Sequence, residues 1–161
     1  DAVERGFLHF LWAPAAVGAA GNVHSWVSPD KWPDITKKEL EWMKCFSDFC
    51  KTIDWSHFNS ENADKEIETE HPDIKSFACR DNDEILFYLM NDDPSHTFGP
   101  VKTKLKISCQ LDEGRYELRW IDIRSGETIK KKKISGFPVN IESPEFKDGL
   151  FAYIRKKDQV H

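Results

Sequence analysis

Apolar residues recur along this chain with two different periods, and the change falls near residue 58. Between Thr36 and Ile53, the residues Leu40, Met43, Phe46, Phe49, Cys50 and Ile53 follow at spacings of three and four, which predicts an amphipathic helix over roughly 37–53. Thr36 and Glu39 at its head form a capping box, each side chain taking the other's backbone N–H. Upstream, Phe7, Leu8, Phe10, Leu11, Trp12 and Val17 lie on all sides of a helical wheel. That density predicts a helix over 2–20 buried between neighbours, kinked or interrupted at Pro14. Residues 22–27 read as a short strand, and the stretch holding Pro29, Trp32 and Pro33 reads as loop.

After Asp54 the period drops to two. "NSENADKEIETEHPD", residues 59–73, is acidic and poor in apolar residues and reads as a connector. Short strands follow at about 74–80, 84–91, 101–109, 115–122, 127–135, 138–143 and 149–156, separated by turn signals. Val101, Thr103, Leu105, Ile107 and Cys109 point one way and Lys102, Lys104 and Lys106 the other. Tyr116, Leu118 and Trp120 share a second inner face. "EILFYLMN", apolar on both faces, is expected at the centre of a sheet. Gly126 in "DIRSGE" suits a turn that needs positive φ. Seven such strands predict an antiparallel β-sandwich, and the fold class is α+β.

The two parts divide as 1–58, a connector 59–73, and a sandwich 74–157. Two apolar helices and one short strand expose more apolar face than they can cover among themselves, so 1–58 reads as the tail of something larger. Self-association through these residues is the expected consequence if they stand alone.

Composition narrows the functions. With 161 residues, 39% hydrophobic and 12% aromatic, the chain can build a sizeable core and disorder is not expected. A net charge of −5 opposes a general role on phosphate backbones, and no nucleic-acid partner is expected. No stretch approaches the roughly 20 apolar residues that span a bilayer, so no membrane partner is expected. The first residues carry neither the basic region nor the small-residue cleavage site of a leader; cytoplasmic and secreted settings both stay open. Cys45, Cys50, Cys79 and Cys109 show no metal-ligand spacing. They read as buried, reduced thiols, although Cys79 and Cys109, on separate strands, are placed to meet. No cofactor and no metal are expected.

"ERGFLHFLWAPAAVGAAGNVHSW", then a loop, then a helix running into "CKTIDWSHFNSEN", resembles the last portion of the catalytic barrel in the apiosidase-like glycoside hydrolases, bacterial (β/α)8 enzymes of plant-polysaccharide breakdown. The residues that carry the likeness are Arg5, the aromatic run to Trp12, Gly18 to Gly21, the His24, Ser25 and Trp26 strand, Met43 and Trp55. "RYELRWIDIRSGE" resembles the tryptophan, aspartate and serine-glycine signature of the β-sandwich that follows such barrels, sometimes labelled a collagen-binding domain. The resemblance implies that residues 1–58 end a TIM barrel and that the N-terminal remainder of that barrel is their partner. It implies a carbohydrate substrate, with the sandwich as brace. It also implies that the acid and the nucleophile or base that glycoside hydrolysis needs come from earlier strands, before Asp1. No catalytic residue is therefore assigned here, and this chain alone is not expected to catalyse.

Candidate substrate-binding residues follow from that mapping. Trp26 would lie near the C-terminal end of the eighth strand, where such barrels bind substrate, either as a sugar-stacking ring or as core. His24 would hydrogen-bond a hydroxyl or be a satisfied structural histidine. Trp32 would rim a cleft or latch its loop. Glu4, a lone acid on a helix, reads as surface charge. Lys130 to Lys133 would contact an acidic polysaccharide or, the simpler reading, keep a sheet edge from pairing. Asp64, Glu66 and Glu68 lack the spacing of a calcium loop. The alternative function is an autonomous carbohydrate- or protein-binding module whose helices pack on its own sandwich.

Overall fold

The structure is a computed structural model describing residues 2–19, 35–93 and 99–157. Helix α1 spans Ala2–Ala16 and α2 spans Lys37–Cys50. Nine strands follow: β1 (Glu61–Asn62), β2 (Ile67–Thr69), β3 (Ile74–Arg80), β4 (Glu84–Asn91), β5 (Lys104–Ile107), β6 (Tyr116–Asp122), β7 (Thr128–Ile134), β8 (Val139–Glu142) and β9 (Gly149–Lys156), with one 3-10 turn at Asp64–Glu66. The class is α+β, as the two periods require. A six-stranded sheet in the order β1-β3-β4-β9-β6-β7 faces a three-stranded sheet β2-β5-β8, all pairs antiparallel.

The core between the sheets holds Ile85, Phe87, Leu89, Leu105, Ile107, Tyr116, Leu118, Trp120, Ala152 and Ile154. All seven strands expected beyond residue 74 form. The long run from Val101 contracts to four residues, with Val101 making an isolated bridge to Phe146. "EILFYLMN" becomes β4, an inner strand with apolar side chains buried on both faces. The acidic stretch 59–73 is more than a connector, because Ala63 and Ile67 are buried and their neighbours pair as β1 on β3 and β2 on β5. Its acids serve the sandwich. Asp64 accepts the Ala78 N–H at 2.7 Å, and Glu66 pairs with the Arg80 guanidinium at 3.1 Å.

A second core covers the other face of the six-stranded sheet. From α1 come Leu8, Leu11, Trp12, Ala15 and Ala16, from α2 Trp42 and Phe49, and from the sheet Leu86, Tyr88, Ile121, Phe151 and Tyr153. Trp12 is fully buried at its centre, with ring centroids of Phe46, Phe49 and Phe151 5.1–5.3 Å away, and its Nε1 donates to the Ile123 carbonyl at 2.9 Å. Helices, six-stranded sheet and three-stranded sheet thus stack as three layers. Cys79 belongs to the helix-side core and Cys109 to the other, so the sheet separates them and all four thiols are free.

Two details of the helices differ from the sequence reading. The capping box at Thr36 and Glu39 is present in both directions, but the buried face of α2 runs through Trp42, Phe46, Phe49 and Ile53, and Leu40 is exposed. The ring of Trp42 is the larger apolar surface, and Lys38 and Arg124 sit over it at 5.1 and 5.5 Å. Helix α1 continues past Pro14 to Ala16. Its end is set by Gly18, at φ 72°, in a Schellman arrangement: Ala19 N–H donates to Pro14 O and Gly18 N–H to Ala15 O. Nor is α1 buried on every side. Val3, Phe10 and Val17, seven residues apart, form a bare stripe at 75%, 62% and 41% exposure. The strand read at 22–27 and the loop around Trp32 lie outside the described residues.

Candidate functional site

A groove of about 600 Å³ lies over the three-stranded sheet. The alternation of β2, β5 and β8 builds it. Leu105 and Ile141 point inward, so their neighbours Lys104, Lys106, Asn140 and Glu142 point out, and Glu68 of β2 and Glu70 just after it join them. Register aligns Glu68, Lys106 and Asn140 in one row, and Lys104 with Glu142 in the next. Lys106 lies 3.5 Å from Glu68, and Lys104 3.5 Å from Glu70. Lys132 of β7 also lines the groove. The lining holds hydrogen-bonding and charged groups but no aromatic ring, so it can bind hydroxyls or charges and cannot stack a sugar face.

Three other polar clusters have chemical interest. Inside α1, His9 Nδ1 lies 2.6 Å from the Tyr88 hydroxyl. Burial, with Arg5 nearby, lowers the His9 pKa to about 4, and burial raises that of Tyr88. Both groups are neutral at pH 7, so the pair is a fixed hydrogen bond. Close by, Asp148 pairs with Arg124 at 2.5 Å, and Glu4 pairs with Lys38 at 2.6 Å, which ties the two helices together. The Glu4 carboxyl is lowered by that lysine, which fits a structural ion pair.

The exposed turn after α2 brings Asp54, Ser56 and His57 into mutual contact. A hydrolytic triad needs the acid and the nucleophile on opposite ring nitrogens. Here Asp54 Oδ2 at 2.8 Å and Ser56 Oγ at 3.0 Å both meet Nδ1 of His57. The cluster closes a turn and relays no proton. Trp55 in the same turn donates to the Cys50 carbonyl at 2.8 Å and packs edge-on against Phe58. On β4, Glu84 has its carboxyl raised, first by burial, while the Tyr153 hydroxyl and Arg155 at 3.1 Å pull it back. Among the described residues no group of His, Cys, Asp and Glu is arranged to hold a metal ion, and no helix is long and apolar enough to cross a membrane.

His24, Trp26 and Trp32, the substrate-binding candidates of the sequence, lie outside the described residues. Trp12 is core, and Asp64, Glu66 and Glu68 make contacts within the sandwich. The groove was missed by the sequence reading, although its signals are there: alternate lysines in "KTKLKI" and alternate acids in "EIETE" become a lattice once the two strands pair.

No family model matches this chain, and no curated protein matches it. Among solved structures it is similar to one described as a glycoside hydrolase, with 15% identity and a TM-score of 0.46 over 88% of this chain. A glycoside hydrolase family 5 protein from Bacteroides vulgatus ATCC 8482 is similar at 15% identity and a TM-score of 0.40, also over 88%. The chain spans 31% and 30% of the lengths of these two proteins. Likeness at this level concerns the arrangement of helices and strands and carries no argument about activity.

Proposed function

We propose that this chain is the C-terminal segment of a glycoside hydrolase acting on a plant-type polysaccharide or oligosaccharide, with residues 1–58 ending the catalytic barrel and the sandwich bracing it. The resemblance of "ERGFLHFLWAPAAVGAAGNVHSW" and "RYELRWIDIRSGE" to the apiosidase-like enzymes supports this. The observation that carries it is the two-sided character of α1. Its inner face is sealed against the sandwich, while Val3, Phe10 and Val17 line an outer face that stays bare, with Leu40 of α2 also exposed. Stripes of this kind are covered by a neighbour in soluble proteins. In this reading the neighbour is the rest of the barrel, and the acid and nucleophile of hydrolysis reside there.

A second reading, an autonomous carbohydrate- or protein-binding module, is favoured by the same helix's inner face, because Trp12, Leu8 and Phe49 are buried by the sandwich itself. One experiment separates the two. An antibody against residues 59–161 is used to size the native polypeptide in its source cells. A band several tens of kilodaltons above 18.7 kDa supports the hydrolase reading, and a band at 18.7 kDa overturns it.

A further inference from the structure

Strand β7 is an edge strand of the six-stranded sheet, hydrogen-bonded there only to β6. Residues Thr128 to Lys133 are exposed on both of its faces. Lys130 and Lys132 stand opposite Trp120 and Leu118 on the sandwich side, and Lys131 and Lys133 stand opposite Arg119 and Glu117 on the helix side. Same-side lysines are about 6.8 Å apart by the strand repeat. None of the four makes an ion pair among the described residues.

The adjoining helix-side surface adds to the charge. Register places Glu84, Arg155, Glu117 and Lys133 in one row across four strands, and Tyr153, Arg119 and Lys131 in the next. Its two carboxylates are already engaged: Glu84 with Arg155, and Glu117 with Arg119 at 2.8 Å and Lys157 at 3.0 Å. Those two contacts hold Glu117 at a pKa of about 2. What is left over is positive, in a chain of net charge −5. The excess is local and elongated along one edge.

We infer that this edge is a docking surface for a linear acidic polysaccharide lying along β7, its carboxylates meeting Lys131 and Lys133 on the helix side of the edge and Lys130 and Lys132 on the other. The exposed, unpaired ammonium groups run along the strand in two rows, one on each side of the edge, and such rows of positive charge are complementary to a polymer that carries carboxylates along its length. Nucleic acid fits less well. The strand "TIKKKKI" holds no ring on which bases could stack, and the acidic remainder repels a dense polyphosphate. The choice of a polysaccharide among polyanions rests on the hydrolase reading above; the basic edge does not.

The test measures binding of the 161-residue chain to polygalacturonate by isothermal titration, with methyl-esterified polygalacturonate and duplex DNA as comparators. Binding is expected to weaken as salt rises from about 50 to 200 mM, because exposed charges are screened. The variant K130Q/K131Q/K132Q/K133Q is expected to lose about tenfold or more in affinity. K131Q/K133Q, which keeps two lysines guarding the edge against self-pairing, is expected to lose an intermediate amount. K37Q/K44Q on α2 is expected to bind as the parent does. Equal affinity for the esterified polymer, unchanged binding by K131Q/K133Q, or DNA bound as tightly as polygalacturonate overturns the proposal. If polygalacturonate does not bind and the fourfold variant self-associates, the lysines only protect the edge. Because the readout is binding by this chain alone, it is decided independently of the native mass that tests the hydrolase reading.

Discussion

Replacing Trp12 by alanine asks whether the helices and the sandwich are one cooperative unit. The indole is fully buried, touches three aromatic rings at 5.1–5.3 Å, and satisfies the buried Ile123 carbonyl. Truncation of such a core aromatic costs about 3–5 kcal/mol. Leaving the carbonyl unpaired contributes about 1–3 kcal/mol to that loss, a share that overlaps the first figure. A total of about 4 kcal/mol is a large part of the roughly 5–15 kcal/mol that holds a domain folded. The assay is urea unfolding followed by far-UV circular dichroism and by tyrosine fluorescence. One transition is expected for both probes, moved to lower urea in Trp12→Ala with an unchanged slope. Trp12→Phe, which keeps a ring but loses the donor, is expected to cost about 1–2 kcal/mol. A loss below about 1 kcal/mol for Trp12→Ala, or a helix transition that separates from an unshifted sheet transition, refutes the argument that the six-stranded sheet depends on its helical layer.

Three further predictions follow from other contacts. His9 has a folded pKa of about 4 against an ordinary 6.5, so between those values the unfolded chain takes up a proton that the folded one refuses. Its contribution is complete above pH 6.5 and is lost as pH falls toward 4, by about 2–3 kcal/mol. Arg5, Asp92 and Asp148 face the same ring, so the measurement is the difference in urea stability between the parent and His9→Gln across this window, and parallel curves would sink the assignment. Gly126 sits at φ 71° with its missing Cβ 3.0 Å from the Cys45 carbonyl of α2; Gly126→Val is expected to lower stability by about 2 kcal/mol or more, and an unchanged thermal midpoint would contradict it. Phe10→Ser on the bare stripe is expected to leave stability within about 0.5 kcal/mol while reducing self-association of the 161-residue chain in sedimentation velocity; a stability loss above about 2 kcal/mol would mean that the face is covered.

The strands were legible because burial on one face writes a period of two into the sequence. Leu105 and Ile107 alternate with Lys104 and Lys106, and the structure places the first pair inside and the second out. The capping box of Thr36 and Glu39 and the turn glycine at 126 are local chemistry and were legible for that reason. What failed was anything set by a distant partner. The face of α2 turned toward Trp42 because Trp12, Phe151 and Arg124 wait on that side, and nothing within residues 37–53 encodes them. Residues 59–73 look like a solvated linker by composition, yet two apolar residues, Ala63 and Ile67, are enough to insert it into the core. The groove is hidden for the same reason, since its charges become neighbours only through the pairing of β2, β5 and β8.

The helical layer bears most directly on the proposed function. The inner strands β3, β4, β9 and β6 bury apolar residues on both faces and need two covering layers, and the three-stranded sheet supplies one. Without α1 and α2 the other face would expose Leu86, Tyr88, Ile121, Phe151 and Tyr153, a patch far larger than a soluble surface tolerates. The helices are therefore committed to the sandwich by their inner faces, whatever meets their outer ones. If the same helices also complete a catalytic barrel, the two folds share a layer and meet without a free linker. Such a joint transmits position. A polymer held along the β7 edge would keep a fixed orientation relative to the barrel, which a flexible tether could not provide.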